Sequence, residues 1–159
     1  MNAAIKAGVA LAVIVEVLSI IFAVAGLHQA GLVPGLILMV LFIALTIGCV
    51  FWVLNKTASE AGYGKQLMGA VVVGVVAGVL ILIFSLINLN LIFQNYIEES
   101  NVAMIEAFEG MNMPEQALEA QIAKLESRTA MGESIKGMIG TFMTSVIIGA
   151  IIAIFKRKK

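Results

Sequence analysis

A chain of 159 residues that is 61% apolar and only 13% charged, with a mean hydropathy of +1.06, carries more hydrocarbon than a water-soluble fold of its length can hide. Its formal net charge is zero and basic residues are sparse before the last four positions, which argues against nucleic acid as a partner. With His28 the only histidine and Cys49 the only cysteine, an intrachain disulfide is excluded, and neither a protein-only zinc site nor a cofactor is expected.

A helix rising 1.5 Å per residue crosses a hydrocarbon core of about 30 Å in roughly twenty residues. Four apolar stretches are long enough: Ile5 to Leu27, Pro34 to Leu54, Leu67 to Phe93, and Ile135 to Phe155. Barrel strands would alternate apolar and polar residues, whereas Val71 to Phe84 is apolar or glycine throughout. The third stretch exceeds what a span needs, so it is expected to tilt or to continue beyond the bilayer. Pro34 suits the first turn of the second span, and Gly31 and Gly35 flank a tight connection. Trp52, Tyr63 and Tyr96 fall near the two interfaces, where amphipathic rings anchor.

Sorting the basic residues by side places Lys6, Lys56, Lys65, Lys156, Arg157, Lys158 and Lys159 together, against Lys124, Arg128 and Lys136. The positive-inside rule then puts both termini in the cytoplasm and residues 94–134 outside. Lys6, the apolar run behind it and the small residues Ala23 to Ala25 loosely imitate a cleavable leader, but Glu16 would sit in the leader's apolar core.

Residues 94–134 are rich in glutamate, and Phe93, Ile97, Met104, Ile105 and Phe108 recur at helical spacing, as do Leu118, Ile122 and Leu125. Two amphipathic helices are predicted, the first ended by Gly110 and Asn112 and the second opened by Pro114 and Glu115. Their apolar faces are expected to pack on each other or lie on the membrane, and their acidic faces offer a docking surface or a weak divalent-cation site.

The expected fold is therefore an all-α integral membrane protein: one domain of four transmembrane helices, with an extracytoplasmic two-helix insert between the third and fourth. Small residues recur every four positions at Ala70, Gly74 and Gly78, and again at Gly137, Thr141, Ser145, Gly149 and Ala153. Such stripes let helix backbones approach closely, and a spare one admits a homodimer or larger membrane complex. Glu16 is the one ionisable residue deep in a span, so it should face inward. Counting equal depths from the cytoplasmic boundary brings Thr46, the Gly74 to Gly78 region and Ser145 to its level. A buried cluster of Glu16, Thr46 and Ser145 is the expectation.

The stretch Gly62-Tyr63-Gly64-Lys65, the glycine-rich third span, Met113-Pro114-Glu115-Gln116, and the ending from Ile139-Gly140-Thr141 through Ile148-Gly149-Ala150 to Lys156-Arg157-Lys158-Lys159 resemble an uncharacterised Bacteroidota membrane family, domain-of-unknown-function family 4199. The resemblance implies a four-helix protein of a bacterial inner membrane and supplies no activity. Nothing in the chain resembles a nucleophile, base and orienting group, so an enzyme is not expected. Three readings remain: an accessory or structural membrane subunit with an outer docking module, a membrane-surface or stress-response element using the Lys156 to Lys159 cluster, and a proton-coupled small-molecule transporter using Glu16. The last is similar to the small multidrug-resistance transporters at that one residue, and differs in its acidic insert and its basic bias.

Overall fold

The computed structural model describes residues 3–57 and 62–156. Within them the chain is helical apart from short turns: α1 (Ala3–Val24), α2 (Leu32–Thr57), α3 (Tyr63–Ile87), α4 (Tyr96–Glu109), α5 (Glu115–Glu126) and α6 (Ala130–Lys156). Arg157 to Lys159, the end of the basic cluster, lie outside the described residues. Four helical segments are long and apolar enough to cross a membrane, Ala3–Val24, Leu32–Thr57, Tyr63–Ile92 and Ala130–Phe155. The shortest, at 22 residues, extends about 33 Å, enough to bridge the hydrocarbon core.

The four long helices form an up-down bundle in which α3 is central. Its partners are α6 on one side and α1 on the other, with α2 closing the gap between α1 and α6. The buried core is built from small and branched residues, among them Leu11, Ala12, Val15, Val50, Val53, Ala70, Val73, Ala77 and Ala153. Outward faces remain apolar, for example Leu36, Ile37, Val40 and Ile47 on α2 and Ile139, Met143, Ile147 and Ile151 on α6. Continuous apolar surface on every side of a bundle is stable in hydrocarbon and not in water.

The small-residue stripes face each other. A Cβ added at Gly149 would overlap the Ala70 methyl. One at Gly74 would lie 3.0 Å from the Ser145 Cβ and 3.2 Å from the Phe142 Cα, and one at Gly78 would lie 3.0 Å from the Met138 carbonyl. Gly137 packs on Ile81, Thr141 is half-buried, and Ala153 is fully buried. Gly8 makes a second close approach, between α1 and α3, because a Cβ there would lie 2.8 Å from the Val76 Cβ. Van der Waals contact at such short range substitutes for the hydrophobic drive that lipid removes.

The third span ends earlier as an α-helix than the apolar run to Phe93 predicts. From Asn88 to Ile92 the coil widens into one π-helical turn, closed by the Phe93 amide on the Asn88 carbonyl at 2.7 Å. At the same end of the bundle, Gly26 (φ 67°) and Gly31 (φ 81°) bend the chain through a short 3₁₀ turn, Leu27–Gln29. Pro34 lies in the first turn of α2, where its missing N–H is no loss. The α4 helix rests on the Leu27–Gln29 turn, and α5 packs back on α4. Gly110 caps α4, Asn112 takes a left-handed conformation (φ 50°), and Pro114 immediately precedes α5.

Candidate functional site

Glu16 is 6% exposed and accepts hydrogen bonds from Ser85 Oγ at 3.1 Å and Asn88 Nδ2 at 2.8 Å. Both donors belong to α3 or the turn that ends it, and the π turn starts at Asn88 itself. Isolated π turns inside long helices commonly re-aim a functional side chain. Each carboxylate oxygen is thus met by one neutral donor, and among the described residues no cation pairs with Glu16.

The expected cluster of Glu16, Thr46 and Ser145 does not form. Thr46 Oγ1 donates to the Phe42 carbonyl of its own helix at 2.8 Å. Ser145 is fully buried at the α3–α6 contact, beside Gly74, and its hydroxyl has no hydrogen-bond partner among the described residues. The depth count assumes that the spans start flush in one plane, and they do not. Gly8, near the start of α1, already packs on Val73 and Val76, well inside α3. Glu16 therefore lies level with the far end of α3, toward the insert, instead of level with its glycines.

Glu16 opens into a cavity of about 140 Å³ lined also by Ser19, Ser85, Asn88, Tyr96 and Glu133. That is room for several waters or one small polar molecule. Glu133 is compensated, with its carboxylate 3.3 Å from Arg128 Nε and 2.8 Å from Lys136 Nζ. The wall opposite the bundle is Tyr96, the first residue of α4. Its ring stacks on the His28 ring at a centroid distance of 4.5 Å. Burial pushes the Tyr96 phenol above its usual range, with Arg128 opposing and Glu133 reinforcing the shift, so the ring stays a neutral donor.

His28 comes from the Leu27–Gln29 turn and is 8% exposed. Its Nε2 lies 2.8 Å from Glu99 Oε2, which Gln29 Nε2 also approaches at 2.7 Å. A carboxylate only accepts, so Nε2 carries the proton and Nδ1 is left buried without a hydrogen-bond partner among the described residues. The hydrogen bonds from His28 and then Gln29 hold the Glu99 carboxyl below the usual carboxylate range. On the other flank, Arg128 Nη1 donates to Asn101 Oδ1 at 2.9 Å, while Asn101 Nδ2 caps the Leu125 carbonyl at 2.8 Å. Two polar clamps, one at each end of the insert, thus roof the Glu16 cavity. Among the described residues no three potential ligands converge on a metal position.

These partners were open to a closer reading of the sequence. Ser85 and Asn88 stand three residues apart, on one face of a helix, at the point where the unbroken apolar run ends. His28, Tyr96, Glu99 and Arg128 carry no local signal, because their meeting depends on the insert folding back over the bundle.

A family model described as "Protein of unknown function (DUF4199)" matches residues 6–158. Searches of the curated proteins and of the solved structures returned no match. With the match covering nearly the whole chain, the protein belongs to the DUF4199 family of proteins of unknown function.

Proposed function

We propose that this chain is an accessory subunit of a bacterial cytoplasmic membrane. It crosses the bilayer four times with both ends in the cytoplasm, and it presents α4 and α5 outside as a docking module, without catalytic chemistry of its own. The bias of basic residues toward the termini and the link between α2 and α3 supports this orientation. The observation that carries the reading is the anchoring of the insert: it is clamped to the bundle through Glu99 and Arg128, so its outer face is a fixed surface. That face holds an open groove of about 500 Å³ lined by Gln29, Asn95, Glu98, Glu99, Val102 and Glu106, which suits a basic segment of a membrane partner. In native membranes solubilised gently, the wild-type chain should migrate in an assembly larger than itself. Glu98→Lys with Glu106→Lys should release it while its melting temperature is unchanged. Migration alone, or an assembly indifferent to both lysines, rejects the reading.

The Glu16 cavity favours a second reading, proton-coupled transport of a small molecule. The cavity beside Glu16 lies toward the insert, and Leu11, Val15, Val73, Ala77 and Ile81 are buried toward the other end, so transport would require α1 and α3 to part. In proteoliposomes, uptake driven by a pH gradient should vanish in Glu16→Gln. Absence of gradient-dependent flux in the wild type, across a broad panel of small cations and neutral solutes, retires this reading.

A further inference from the structure

At the opposite end of the bundle, α1 and α2 face each other through small residues. Ala7 and Ala10 on α1, with Gly48 and Cys49 on α2, leave an open groove of about 320 Å³ lined also by Lys6 and Trp52. Nothing lies within 4 Å of the position a Gly48 Cβ would take, so the floor there is open. The groove sits between two helices apolar enough to span a membrane, and hydrocarbon is the medium that fills such a space.

The lining at Lys6 and Trp52 is different in character. Lys56 places its ammonium 4.2 Å from the centroid of the Trp52 ring, held by the aromatic face. Among the described residues no carboxylate forms an ion pair with Lys6 or Lys56. A cation resting on an indole keeps hydrogen-bond donors free on its other side. Lys6, in the lining of the groove, and Lys56, on the ring of Trp52, therefore bring two cationic side chains to one apolar slot.

From this charge complementarity we infer that the α1–α2 groove is a binding site for an anionic phospholipid, with an acyl chain between Ala10 and Gly48 and the phosphate between Lys6 and Lys56. A single molecule of that class supplies both the hydrocarbon and the anion that the groove lacks. A zwitterionic lipid brings its own ammonium beside the phosphate and gains less from the lysines. The inference rests on neither functional reading given above.

Trp52 is the only tryptophan in the chain, so its fluorescence reports on this groove alone. The full chain is reconstituted in phosphatidylcholine vesicles containing acyl-brominated phosphatidylglycerol or, at the same mole fraction, acyl-brominated phosphatidylcholine. The brominated anionic lipid should quench at lower mole fraction, with the preference falling roughly fivefold for each of Lys6→Gln and Lys56→Gln. Gly48→Leu, which fills the slot and keeps both charges, should also abolish the preference. Replacing Lys156, Lys158 and Lys159 by Gln should leave it intact. Equal quenching by the two lipids overturns the site. So does a preference that survives in the Lys6/Lys56 double variant or in Gly48→Leu, or one that tracks the C-terminal lysines, which would mark bulk surface attraction.

Discussion

Gly149→Ala should destabilise the bundle by about 3 kcal/mol, the upper part of the range for overpacking a filled core. The added methyl has no space, since it would overlap that of Ala70 across the α3–α6 contact. Removing the Ala70 methyl clears it: the next neighbours are the Ala70 Cα at 3.6 Å and Val50 Cγ1 at 3.8 Å, both ordinary contacts. The double variant Ala70→Gly with Gly149→Ala should therefore return to within about 1 kcal/mol of wild type, a coupling that neither single change shows. Gly140→Ala is the control. Nothing lies within 4 Å of its added Cβ, so it should change stability by less than about 1 kcal/mol. Unfolding in mixed detergent micelles measures wild type, both single variants, the double variant and the Gly140→Ala control. If Gly149→Ala proves as mild as Gly140→Ala, or the double variant as damaged as the single, the backbones of α3 and α6 do not approach as described.

The same residues explain how far the sequence can be read. Periodicity and rise per residue locate the long helices to within a few positions, because a span needs only length and apolarity. Gly110 and Pro114 mark the break between α4 and α5 by local backbone chemistry, which composition carries in full. Glu16 declares itself as buried because a lone carboxylate in an apolar run must find partners. Which partners it finds is a matter of helix stagger, and stagger is set by side-chain fit, such as Gly8 receiving Val76. No count from a presumed membrane plane contains that fit. For the same reason the His28 and Arg128 clamps are illegible in one dimension: Glu99 lies 71 residues from His28, and Asn101 lies 27 residues before Arg128.

Arg128→Leu should open α5 while leaving α4 in place at neutral pH. The guanidinium is the link between the end of α5, Asn101 of α4 and Glu133 at the start of α6, and its side chain is only 15% exposed. Losing such a partner costs about 2–3 kcal/mol locally. Amide exchange across residues 115–126 should therefore accelerate roughly thirtyfold or more. Glu133 keeps Lys136 and should hold the start of α6. The α4 helix has its second clamp in Glu99, whose carboxyl is held below its usual range in the folded state. The sign follows from that depression: the clamp contributes fully above the ordinary carboxylate range and is lost as pH falls through the lowered value. Wild type, with Arg128 still in place, should keep α4 protected on acidification. Arg128→Leu should lose protection in residues 96–109 over the same pH interval, and adding Glu99→Gln should remove that pH dependence. If α4 opens together with α5 at neutral pH, the insert is one cooperative unit and the two clamps are not independent. If α4 of Arg128→Leu stays protected in acid, Glu99 is not what holds it over the Glu16 cavity.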